Sequence, residues 1–114
     1  MKHRFFYRKL TILFFSILAL QTFAQQSEID INLLSDYNHA VKLFNSKAYA
    51  AAQKTFLEVS DNANDQLRLK ADADYYDAMC AIRLNQTDAD KKVLSFVENH
   101  PNSNKKDKAY FNVG

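Results

Sequence analysis

Tyr37-Asn38-His39-Ala40, Tyr75-Tyr76-Asp77-Ala78 and Phe111-Asn112-Val113-Gly114 share one pattern, an aromatic followed three residues later by a small residue. The small positions stand 38 and then 36 residues apart. Between them a second pattern recurs, Ala52-x-x-x-Phe56-x-x-Val59 and Ala89-x-x-x-Val93-x-x-Phe96, offset by 37 residues. Spacings of three and four place each set on one face of a helix. Two interleaved helical signatures at a common period are the mark of a helix-pair solenoid. The predicted fold is therefore all-α, an antiparallel helix-pair α-solenoid of about two repeats plus the start of a third. Gly114 falls where a third repeat has barely opened its first helix. The expectation is the N-terminal part of a longer array.

The segment before residue 25 reads differently. Lys2, Arg4, Arg8 and Lys9 form a basic run, Leu10 to Leu20 is apolar, and Thr22-Phe23-Ala24 ends on a small residue. That order is a secretory signal, with the cut expected after Ala24. The apolar run is shorter than the roughly 20 residues of a spanning helix, so no stable membrane anchor is expected after cleavage; the alternative is an uncleaved N-terminal anchor, since Phe23 lengthens the run. Cys80 is the only cysteine and lies far from the cut, which removes both a lipidated N-terminus and an internal disulfide. The domain expected is residues 25–114, exported and periplasmic.

Removing residues 1–24 changes the charge. Of 15 Lys and Arg, four lie in the signal, while all 13 Asp and Glu lie after it. The remaining 11 cations against 13 anions give −2, so the basic balance of the whole chain belongs to the export segment. A nucleic-acid partner, which calls for a basic face, is not expected. One glycine and one proline in 114 residues agree with helices rather than with turn-rich sheet.

Apolar periodicity predicts helices over about Glu28–Ser46, Tyr49–Ser60, Gln66–Leu84, Thr87–Asn99 and from Lys105 onward. The first buries Leu33, Leu34, Tyr37, Ala40, Val41 and Phe44; the second buries Ala52, Phe56 and Val59. On the third, Leu67, Ala71, Tyr75, Ala78 and Ile82 share one side, and Ala73, Tyr76, Cys80 and Leu84 an adjacent one. Ser27-x-x-Asp30 and Thr87-x-x-Asp90 resemble capping boxes. Pro101 stops the fourth helix. The last segment, about 15 Å long, is too short to hold helicity alone. Tyr110, Phe111 and Val113 are thus expected to pack incompletely, and self-association through that end follows.

Phe44-x-x-x-x-Tyr49-x-x-Ala52-x-x-x-Phe56-x-x-Val59, the loop His100-Pro101-Asn102-Ser103 and Ala109-Tyr110-Phe111-Asn112-Val113-Gly114 together resemble the tetratricopeptide repeat family over residues 33 to 114. The chain departs from that pattern at Lys47, where the family carries a turn glycine, and in lacking a proline after its first repeat. Aligning on Gly114 would bury Asp36 and Asp74; the apolar face instead favours Tyr37 and Tyr75, because burying unpaired carboxylates costs several kcal/mol. The resemblance implies a protein-binding scaffold and no enzyme. With the export segment, it is similar to the cell-envelope members of this family in Bacteroidota. A second reading makes these repeats the docking module of a longer envelope enzyme or receptor whose active domain lies beyond Gly114, and a third a small adaptor.

Signals for catalysis are thin. His39 and His100 stand at no metal-ligand spacing and read as solvated or capping residues, and neither metal nor cofactor is expected. One glycine allows no phosphate loop. Cys80 reads as a small apolar core residue rather than a nucleophile paired with His39. Asp72, Asp74, Asp77, Asp88 and Asp90 follow no calcium-loop spacing and read as a solvated charged face. The sharper expectation concerns a concave wall lined by first helices. There Asp36, His39 and Lys42 would correspond to Lys70, Asp74 and Asp77, with Tyr76 alongside, as a surface for a protein or peptide partner.

Overall fold

Three of the turns between successive helices place one residue in the left-handed region: Lys47 at φ 65°, Asn64 at 47° and Asn85 at 54°. The computed structural model describes residues 31–113, and from Leu33 onward they form one contact unit. The segment read as a secretory signal, the Ser27-x-x-Asp30 box and Gly114 lie outside the described residues. Helix α1 covers residues 31–45, followed by α2 (Tyr49–Asn62), α3 (Leu67–Arg83), α4 (Ala89–Asn99) and α5 (Lys106–Val113). Among the described residues there is no strand, as the all-α expectation required. Helix α3 contacts α2, α4 and α5, and α4 also contacts α5.

The repetition read from the sequence recurs in the backbone. After α1, Ser46 N donates to Lys42 O, Lys47 N to Phe44 O and Ala48 N to Leu43 O. After α3, Leu84 N donates to Cys80 O, Asn85 N to Ile82 O and Gln86 N to Ala81 O. Every donor and acceptor moves by 38 residues. In each set a donor reaches back five residues and another three around a left-handed position, the Schellman arrangement that satisfies orphan helix carbonyls. Lys47 therefore takes a conformation that favours glycine, at a cost of about 1–2 kcal/mol for a residue bearing a Cβ.

Burial repeats as well. Leu33 and Ala40 on α1 and, 38 residues later, Ala71 and Ala78 on α3 are buried. Ala52, Phe56 and Val59 on α2 match buried Ala89, Val93 and Phe96 on α4, 37 residues on. An aromatic of each first helix meets a phenylalanine of the following helix edge to face. Tyr37 and Phe56 lie 5.8 Å apart at 66°, and Tyr75 and Phe96 lie 5.7 Å apart at 61°. Two cores result. One gathers Ala40, Ala52, Phe56, Val59, Ala73 and Cys80; the other gathers Tyr75, Ala78, Val93, Phe96, Val97 and Ala109 among others. Phe44 and Tyr76 pack against both and join them.

Five expectations need correction. Leu67 opens α3 and is 70% exposed, because it precedes the stretch of α3 that α4 covers. Leu34 and Leu84 are likewise exposed rather than buried. The Thr87-x-x-Asp90 box does not form: α4 starts one residue later, with Asp88 at its N-cap and no side-chain capping bond. His100 is not solvated, as shown below. At the last helix Ala109 is fully buried while Tyr110 and Phe111 stay exposed, the latter at 86%.

Candidate functional site

The polar face of α3 is where most long-range polar contacts of the described chain converge. Asp72, Asp74 and Asp77 leave α3 on neighbouring turns and each finds a different partner. Lys105 Nζ, in the segment before α5, lies 3.0 Å from Asp72 Oδ1 and 5.9 Å above the centre of the Tyr75 ring. His100, just past α4, places Nε2 2.8 Å from Asp74 Oδ2, with little of its ring exposed. An ionised carboxylate only accepts, so that nitrogen carries the hydrogen. Ser60, near the end of α2, donates its hydroxyl to Asp74 Oδ1. Lys70 Nζ in turn donates to Ser60 Oγ at 3.0 Å and to Ser60 O at 3.2 Å.

Asp77 anchors a second network. Lys92 Nζ lies 2.9 and 3.1 Å from its two oxygens, and Gln53 Nε2 donates to Oδ1 at 2.9 Å. Gln53, buried on α2, also exchanges amide hydrogen bonds with Gln86 at 2.9 and 2.8 Å. One carboxylate thereby ties α2, α3, the α3–α4 turn and α4 together. Among the described residues no buried side-chain polar atom lacks a partner, so these networks are closed.

The residues singled out from the sequence therefore divide. Asp36, His39 and Lys42 are exposed on α1. Lys70, Asp74 and Asp77 turn towards α2 and α4 and serve as struts between helices. Tyr76 stacks on Phe56, centres 4.8 Å apart at 7°, and meets Tyr37 and Phe44 edge-on. At the offset of 38 residues Asp36 matches Asp74 and His39 matches Asp77, whereas Lys42 falls at the place of Cys80 and Lys70 at that of Asn32, and the surroundings of the two sets differ. Sequence reasoning missed Ser60, Gln53, His100 and Lys105 as members of this system. One signal was present: Ser60 is a polar residue 37 positions before buried Val97, in a repeat position that is buried both times.

Titration agrees with a packed interior. Burial, with the nearby Asp77 carboxylate, pushes the Cys80 thiol up to about 12, Lys92 opposing the shift. Burial also raises Tyr37, helped by Asp72 and then Tyr76, and raises Tyr75. Cys80 is thus an inert core thiol, because the thiolate is the reactive form. Among the described residues no group of His, Cys, Asp or Glu is arranged to hold a metal ion, and no helix is long and apolar enough to cross a membrane. A cleft of about 690 Å³ opens between the first turns of α3 and residues 99–104.

No protein-family model matches this chain, and no curated protein or solved structure matches it either.

Proposed function

We propose that the chain is an exported helical-repeat scaffold of the tetratricopeptide type, which binds a protein or peptide partner in the cell envelope and carries out no catalysis. The observation that carries this reading is the repetition of one helix-pair unit. Five of its buried positions recur at 37 or 38 residues, Leu33, Ala40, Ala52, Phe56 and Val59 with Ala71, Ala78, Ala89, Val93 and Phe96, and the hydrogen bonds of the turn after its first helix recur donor for donor. A unit stacked on its own copy leaves long helical walls for partners. The non-catalytic reading is supported by Cys80, which is buried with its thiol pushed up and so is not a nucleophile. The compartment rests on the signal-like order of basic, apolar and small residues over residues 1–24.

In-cell crosslinking of the tagged chain, followed by purification and mass spectrometry, tests this. The expected outcome is material starting at Gln25, recovered with the envelope and crosslinked to a defined protein. Recovery from the cytoplasm with Met1 intact and no crosslinked protein would overturn it.

A further inference from the structure

We propose that the cleft between the first turns of α3 and residues 99–104 receives an extended acidic peptide of a partner protein, with a leucine-sized side chain next to its carboxylate. This rests on the scaffold reading above and names the place and the chemistry of the contact. At about 690 Å³ the cleft is within the size of ligand-binding clefts.

The argument is an imbalance of donors over acceptors. The two carboxylates in the cleft wall are both occupied, Asp72 by Lys105 and Asp74 by Ser60 and His100. The two cations are not neutralised: among the described residues neither Arg68 nor Lys70 has a carboxylate partner. Arg68 is exposed, and among the described residues its N–H groups make no hydrogen bond. Lys70 spends two hydrogens on Ser60, an uncharged residue, and keeps a third. With Lys105 counted, three cations face two carboxylates at the cleft, and the Arg68 N–H groups meet no acceptor among the described residues. The ligand that completes it supplies carboxylates.

Its shape and remaining groups favour a peptide. Asn99, Asn102 and Asn104 line the far wall, exposed, and their amides make no hydrogen bond among the described residues. Each amide offers both N–H and C=O, which suits the alternating donors and acceptors of an extended backbone. Leu67 at the rim is 70% exposed and gives an apolar side chain a foothold beside Arg68. A nucleic acid is disfavoured, because the chain after residue 24 carries 11 cations against 13 anions and would repel a long polyanion.

The test is fluorescence anisotropy of the exported chain with three labelled peptides, alternating leucine with glutamate, glutamine or lysine. The glutamate peptide is expected to bind about tenfold or more tighter than the glutamine peptide, with affinity falling as salt rises. Arg68→Glu should weaken it by about tenfold and Leu67→Ser by several-fold, with helicity unchanged because both side chains are exposed. Equal binding of the glutamate and glutamine peptides, or an unchanged affinity in R68E, overturns the proposal. Competition by a single-stranded oligonucleotide as effective as the acidic peptide overturns it too. A crosslinked envelope partner that R68E still captures would refute this cleft and leave the scaffold reading standing. Absence of both peptide binding and any partner would refute both.

Discussion

Cys80 shows how far the surroundings of one residue decide its chemistry. It stands fully buried between Ala40, Ala52 and Phe56 on one side and Asp77 near its thiol, so the neutral form is strongly favoured in the folded chain. The unfolded chain deprotonates this thiol near its ordinary value of 9.0, the folded chain only near 12. Stability from this group is whole below about pH 9 and is lost as pH rises through that window. Unfolding midpoints measured from pH 8 to 12 should fall, and Cys80→Ala should fall less steeply. A disulfide-forming thiol reagent should modify native Cys80 only as fast as the chain opens; rapid modification at pH 8 would place the thiol at the surface. Phe56, fully buried and stacked on Tyr76, sets the other extreme. Phe56→Ala should destabilise by about 3–5 kcal/mol in urea unfolding. Lys42→Ala, at an exposed site, should change stability by less than about 0.5 kcal/mol. Equal effects from the two would misplace the core. The role of Phe56 was legible in the sequence, because apolar spacing reports burial directly. The roles of Asp72, Asp74 and Asp77 were not. Their partners lie 33, 26 and 15 residues away, so local charge spacing along α3 says nothing of them.

At the scale of elements, the extents of the helices were legible, because Gly and Pro are absent from residues 31–100 and apolar spacing is unbroken within each segment. Their first residues were less so. Thr87 and Asp90 have the spacing of a capping box, yet the chain spends its first residues after α3 on the Gln86 contacts with Ala81 and Gln53, and α4 starts at Ala89. The turns carry a testable cost. Lys47 takes φ 65°, where a Cβ costs about 1–2 kcal/mol, and a glycine there gives back about 0.4–1 kcal/mol through unfolded-state entropy. Lys47→Gly should therefore stabilise the chain by about 0.5–1 kcal/mol. Asn85→Gly, at the equivalent turn, should gain less, since asparagine tolerates the left-handed region better than lysine. Urea midpoints of the two variants check this. A loss of stability in Lys47→Gly would mean that the residue is not held at positive φ.

At the scale of the molecule, two helix pairs share a set of buried positions, Leu33 with Ala71, Ala40 with Ala78 and the three of α2 with those of α4, and the same turn bonds, while the rest of their surroundings differ. Asp36 and Asp74 stand 38 residues apart, at one register position. Asp74 has α2 on one side and the end of α4 on the other, whereas Asp36 is exposed. The likeness of Asp36 and Asp74 was therefore readable as sequence, but which of them would be enclosed depended on neighbours. The repeated unit is the central claim, and ring-to-ring contacts test it most directly. Nuclear Overhauser spectra of the aromatic side chains should show Tyr37 against Phe56 and, equally, Tyr75 against Phe96, with helical carbon shifts broken at Lys47, Asn64 and Asn85. Contact in the first pair without contact in the second, or helical shifts running unbroken through Asn85, would contradict it.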